Sequence, residues 1–110
     1  MEDKRKAKRF ATNLKAHYFL KEGEGEGKEC TVINISRNGV GLEFYTAEEI
    51  VVDSTIFIKI VAAKSLEPTD VEGVVMWVHQ GGKDFISGIE ANSKLDEDKL
   101  ANLINFTLGL

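Results

Sequence analysis

The feature that most constrains this chain is an alternation of apolar and polar residues at period two that restarts several times, each restart marked by a turn signal. In NLKAHYFL, residues 13–20, Leu14, Ala16, Tyr18 and Leu20 share one face. In ECTVINIS, residues 29–36, Thr31, Ile33 and Ile35 alternate with Cys30 and Val32, and in GVGLEFY, residues 39–45, Val40, Leu42 and Phe44 share a face. STIFIKIVAA, residues 54–63, puts Ile56, Ile58 and Ile60 together; VEGVVMWVHQ, residues 71–80, is almost continuously apolar. GGKD, residues 81–84, then turns the chain into DFISGIEA, residues 84–91. Strand side chains point alternately to opposite faces, so each run has one face to bury. About six such runs with turns between them predict a small antiparallel barrel. The last segment changes period: Leu100, Leu103, Ile104 and Thr107 fall at helical spacing, with Ser93 or Asp96 available as the N-cap. The expectation is a mainly β fold, a six-stranded antiparallel barrel capped by one C-terminal α-helix that lays its apolar stripe on the sheet.

At 110 residues the natural expectation is one domain with an unassisted but modest core. No apolar run approaches the ~20 residues that span a bilayer. The first residues are charged rather than apolar, unlike a secretory leader, so the chain is expected in the cytoplasm, without membrane insertion. Cys30 is the sole cysteine and has only His17 and His79 beside it, so neither an intramolecular disulfide nor metal-ligand spacing arises, and Cys30 reads as a small buried hydrophobe. No Ser-His-Asp, Cys-His or paired-carboxylate pattern suggests catalysis, and the chain is expected not to be an enzyme or to carry a cofactor. His17, His79 and Trp77 lie in strand patterns and read as structural residues, Trp77 as core.

Charge is unevenly spread. The stretch MEDKRKAKRF, residues 1–10, sets Lys4, Arg5, Lys6, Lys8 and Arg9 against Glu2 and Asp3, a net +3; with a total of −4, the other hundred residues carry −7. A basic arm on an acidic body disfavours nucleic-acid polymers, which want a broad positive face, but permits a local anion site. KEGEGEGKE, residues 21–29, has neither core residues nor helix propensity and reads as a loop.

Two stretches carry more chemistry than the fold requires. Between the second and third runs lies Asn34-Ile35-Ser36-Arg37-Asn38-Gly39. Asn-Gly is a turn signal because both residues tolerate positive φ, and Asn and Ser side chains favour strand ends; turn-making alone explains much of the stretch. Asn34 and Ser36 also lie two residues apart and so on one side of a strand, and Gly39 allows close backbone approach. Such a ledge suits the hydrogen-bonding edge of a planar base. In the arm, Arg5 and Arg9 are separated by three residues. A guanidinium donates bidentately to guanine O6 and N7, stacks on a ring or clamps a phosphate, so two of them on a flexible arm suit a compact anionic purine ligand.

Together, Arg5-Lys6-Ala7-Lys8-Arg9 and Asn34-Ile35-Ser36-Arg37-Asn38-Gly39 resemble the two signatures of the PilZ family, RxxxR followed by [D/N]xSxxG. The resemblance extends over essentially the whole chain. It implies a PilZ-type barrel, residues 13–110, preceded by a flexible basic arm, residues 1–12, and it implies a receptor for cyclic di-GMP, a bacterial second messenger. Arg5 and Arg9 would grip guanine and phosphate, Asn34 and Ser36 would bond a guanine, and Gly39 would shape the turn; Lys4, Arg37 and Asn38 would be candidates for secondary contacts. Asn34 stands where many members have Asp, a stronger acceptor for guanine N1–H and N2–H, and Lys4 stands where many have Arg. The arm is expected to order on the ligand, creating a surface that a protein partner, or a second copy in a homodimer, reads. The alternatives are a PilZ-like adaptor that docks a protein without nucleotide and, further off, a small nucleic-acid-binding barrel.

Overall fold

The computed structural model describes residues 9–20, 27–45, 50–61 and 68–108. Six strands, β1 (Phe10–Phe19), β2 (Lys28–Ser36), β3 (Gly39–Phe44), β4 (Thr55–Ile60), β5 (Thr69–Gly81) and β6 (Asp84–Ala91), precede one helix, α1 (Glu97–Leu108). Every pairing is antiparallel, and the strands close a barrel in the order β1-β2-β3-β6-β5-β4. Closure leaves no open edge for another chain to pair with. β1 begins at Phe10, within the segment 1–12 expected to be an arm: Phe10 and Ala11 pair with Ile35 and Asn34.

The alternating residues fill the interior. Leu14, Ala16 and Tyr18 from β1, Val40, Leu42 and Phe44 from β3, and Ile56, Ile58 and Ile60 from β4 are all buried, as their spacing predicts. The β5–β6 hairpin turns at Gly82-Lys83, with Gly82 at φ 76°, a left-handed conformation natural to glycine. Asp96 caps α1: its Oδ1 accepts the Asp98 N–H at 2.8 Å and its carbonyl accepts the Leu100 N–H at 2.9 Å. Leu100 and Leu103 join the core, and Ile104 packs against it. Among the described residues no helix is long and apolar enough to cross a membrane.

Two strands break the alternation, and the breaks position the candidate site. In β2 the register with β3 shifts between Val32 and Asn34, which pair with Leu42 and Gly41. Two residues, Ile33 and Asn34, thus oppose one, which is a β-bulge. Strict alternation would group Asn34 and Ser36 with Cys30 and Val32 inside the barrel. The bulge resets the phase: Cys30, Val32 and Ile35 are buried in the core, while Asn34 and Ser36 turn outward. The expected grouping of Ile35 with Thr31 and Ile33 is corrected accordingly. The Thr12 hydroxyl donates to the Val32 carbonyl at 2.7 Å, bonding a backbone group beside the interrupted ladder. In β5 the register with β6 shifts between Val75 and Trp77, which pair with Ile89 and Gly88. Here the buried Ser87 hydroxyl donates to the Trp77 carbonyl at 2.8 Å.

Candidate functional site

The bulges face each other across the outside of the barrel. Asn34 pairs with Gly41, Gly41 with Gly88, and Gly88 with Trp77, a row crossing β2, β3, β6 and β5. Both central positions are glycine, and both are covered by the side chain next door. A Cβ at Gly41 would lie 2.5 Å from Asn34 Nδ2, and one at Gly88 would lie 2.4 Å from Trp77 Nε1. The Asn34 amide and the Trp77 indole therefore lie down over adjacent glycines from opposite walls. Trp77, expected in the core, is a half-buried residue of the outer face, with its ring 5.1 Å from that of His79.

The next row crosses Ser36, Gly39 and Glu90. Around these two rows opens a cavity of about 570 Å³, lined by Arg9, Asn34, Ser36, Asn38, Gly39, Met76, Trp77, Gly88, Glu90 and Lys94, among others. That volume is in the range of small-ligand sites. Among the described lining residues, Arg9 and Lys94 are the cations and Glu90 the carboxylate. Both arms of the expected site reach it: Arg9 from just before β1, and Asn34, Ser36, Asn38 and Gly39 from the β2–β3 hairpin. Arg5 and Lys4 lie outside the described residues, as does the loop segment 21–26.

The hairpin turn is held in place from behind. Ser36 Oγ accepts the Asn38 N–H at 3.2 Å, a local side-chain turn bond, while as a donor it lies 3.5 Å from the Gly39 carbonyl oxygen. Ser36 thus shapes the turn and keeps a weakly engaged donor. The Asn38 carbonyl accepts the Ala91 N–H, and the Arg37 carbonyl accepts the Leu95 N–H, both at 2.7 Å. Arg37, expected as a secondary contact, does not line the cavity. Its Nη1 pairs with Glu97 Oε1 of α1 at 3.2 Å, a solvent-exposed ion pair of small energetic weight.

Gly39 is required for a reason other than the one expected. Neither Asn38 nor Gly39 has positive φ; among the described residues that conformation occurs at Gly27, Asp53 and Gly82. A Cβ at Gly39 would instead lie 2.0 Å from the Ile89 carbonyl oxygen. Close approach of β3 to β6 is what excludes a side chain. Cys30 is buried in the barrel, where desolvation raises its pKa to about 12, so it is not a reactive thiol.

The family model for the PilZ domain matches residues 3–109. The chain belongs to the PilZ domain family. Among solved structures, the PilZ fold seen here is similar to the Bacillus subtilis inhibitor of motility, MotI/DgrA, with a TM-score of 0.74 at 14% sequence identity, covering 98% of this chain and 51% of that one. This chain therefore spans about half the length of that protein, and at such identity the likeness is one of fold. Comparison with curated proteins gave no match. The PilZ assignment and the barrel agree with the reading of the two signatures. Trp77, Met76, Glu90 and Lys94 were not picked out as site residues by that reading, and Gly41 and Gly88 beneath the walls were not either. The one available signal was an isolated glycine inside each of two strand patterns, which marks a bulge or a close approach.

Proposed function

We propose that this PilZ domain is a receptor for cyclic di-GMP, which orders the N-terminal arm and passes the signal to a protein partner. The observation that carries the reading is a single ligand-sized cavity on which Arg9 from one signature and Asn34, Ser36, Asn38 and Gly39 from the other all open. Arg9 has the donor fork for guanine O6 and N7 or for a phosphate. The Asn34 amide and the Ser36 hydroxyl meet a base edge from the β2 wall, and Trp77 offers a ring face for stacking from the β5 wall. Lys94 adds a point charge for the second phosphate, and Arg5 and Lys4 on the arm complete the cationic clamp.

The energetics make the arginines decisive. Ordering the arm costs about 1–2 kcal/mol per backbone residue, while one good bidentate base contact contributes roughly 1–3 kcal/mol. The margin is narrow, so Arg9→Ala should weaken binding at least about tenfold. Titration calorimetry with cyclic di-GMP, with GMP as control, tests the reading. Saturable heat for the dinucleotide, reduced in Arg9→Ala, is expected. Folded wild-type protein that gives no heat at high micromolar dinucleotide would leave the protein-docking adaptor as the better account.

A further inference from the structure

Four outward positions, two on β3 and two on β6, run beneath the site: Gly39, Gly41, Gly88 and Glu90, of which Gly39, Gly88 and Glu90 line the cavity and Gly41 lies under the Asn34 side chain. Three of them have no side chain. Glu90 alone rises from this floor; it is exposed, it lines the cavity, and it pairs across the sheet with Gly39. β6 is bonded to β3 on one side and β5 on the other, so the glutamate stands on a fixed backbone.

A carboxylate here needs an explanation if the ligand carries two phosphates. It raises the electrostatic cost of any anion unless it meets hydrogen-bond donors. We propose that Glu90 selects guanine, accepting the base's N1–H and N2–H in the cavity; the proposal rests on reading the site as a cyclic di-GMP receptor. An ionised carboxylate is an acceptor only, and its two oxygens match two adjacent donors. Adenine presents a ring acceptor beside its amino group, so a carboxylate gains one bond there and faces a lone pair with its other oxygen. Asn34, on the β2 wall, is a neutral amide and lacks this discrimination, since its carbonyl accepts while its amino group donates. Glu90 supplies from the floor the charge that Asn34 does not supply from the wall. Specificity then comes as much from the penalty on adenine as from the contact with guanine.

The test is calorimetric titration of the full chain and of Glu90→Gln with cyclic di-GMP and with cyclic di-AMP, with thermal unfolding to verify that the variant folds. The wild-type chain should prefer the guanine form. Glu90→Gln should bind cyclic di-GMP at least about tenfold more weakly while binding cyclic di-AMP no more weakly, because a carboxamide pairs with adenine's mixed edge. If Glu90→Gln tightens both ligands alike, or leaves their ratio unchanged, the carboxylate only repels phosphate or stands aside; Glu90 then loses this role while the receptor reading survives. Wild-type protein that binds neither dinucleotide overturns both.

Discussion

Replacing Gly41 by alanine should weaken ligand binding without substituting any residue that meets the ligand. The added Cβ would lie 2.5 Å from Asn34 Nδ2 and 2.9 Å from both Asn34 Cγ and Oδ1. Real Cβ contacts are not that short, so something must move. What moves is the end of a polar side chain at the rim of an open cavity, not backbone. Turning Asn34 off its rotamer costs about 0.5–1.5 kcal/mol, while alanine for glycine in a strand returns roughly 0.5–1 kcal/mol. Folding stability should therefore change by less than about 1 kcal/mol. The Asn34 contact with a base is another matter. Its loss removes roughly 1–3 kcal/mol of binding, on the order of ten- to a hundredfold in Kd. Calorimetry with cyclic di-GMP and thermal unfolding, run on Gly41→Ala, Asn34→Ala and the double variant, separate the two effects. The double variant should bind no more weakly than Asn34→Ala alone, because both changes act through one side chain. Full affinity in Gly41→Ala would refute the argument that Asn34 works from its position over that glycine. A large loss of Tm would refute the claim that the strain is absorbed at the rim.

Gly39→Ala should behave in the opposite way: its Cβ would meet the Ile89 carbonyl oxygen at 2.0 Å, which is backbone in a paired strand, so melting should show a loss of about 2 kcal/mol or more, on the order of 10 °C in Tm. Cys30 links stability to alkaline pH. Its folded pKa is raised to about 12 from the ordinary 9.0 by desolvation, so the folded state keeps the proton that the unfolded state releases. Its contribution is intact below pH 9 and is lost as pH rises towards 12, at up to about 1.4 kcal/mol per pH unit. Denaturant melts at pH 8 and pH 10.5 should therefore show a larger alkaline loss in wild type than in Cys30→Ala, and equal losses would remove the linkage.

Much of the barrel was readable from periodicity. Leu14, Ala16 and Tyr18, or Ile56, Ile58 and Ile60, carry their inward face in their spacing alone, and all are buried. The helix was equally legible, because Leu100 and Leu103 keep a 3.6-residue rhythm and Asp96 stands where a cap is needed. The walls of the site were not. In β5, Val75 points inward while Met76 and Trp77 both open on the cavity. A run of apolar residues without alternation hides such a change of phase, which is why Trp77 reads as core. Adjacency to a signature residue likewise says nothing about direction: the Arg37 side chain turns to Glu97 on α1.

The same two bulges explain why a polar ligand site can exist on this barrel without weakening it. An unbulged β2 would send Asn34 into an interior whose residues Val32 and Leu42 are fully buried and offer an amide no hydrogen-bond partner. Burying it there would cost a few kcal/mol. One extra residue in the strand instead places Ile35 in the core and Asn34 outside. The local price is an interrupted ladder, met at β2 by the Thr12 hydroxyl and at β5 by the Ser87 hydroxyl. The glycines opposite each bulge then let the displaced side chains lie flat against the barrel rather than project from it. Core and site are thus two consequences of one irregularity, used once on each wall. Straightening either strand by deleting a bulge residue would force a choice between them, with polar groups entering the core or apolar groups leaving it.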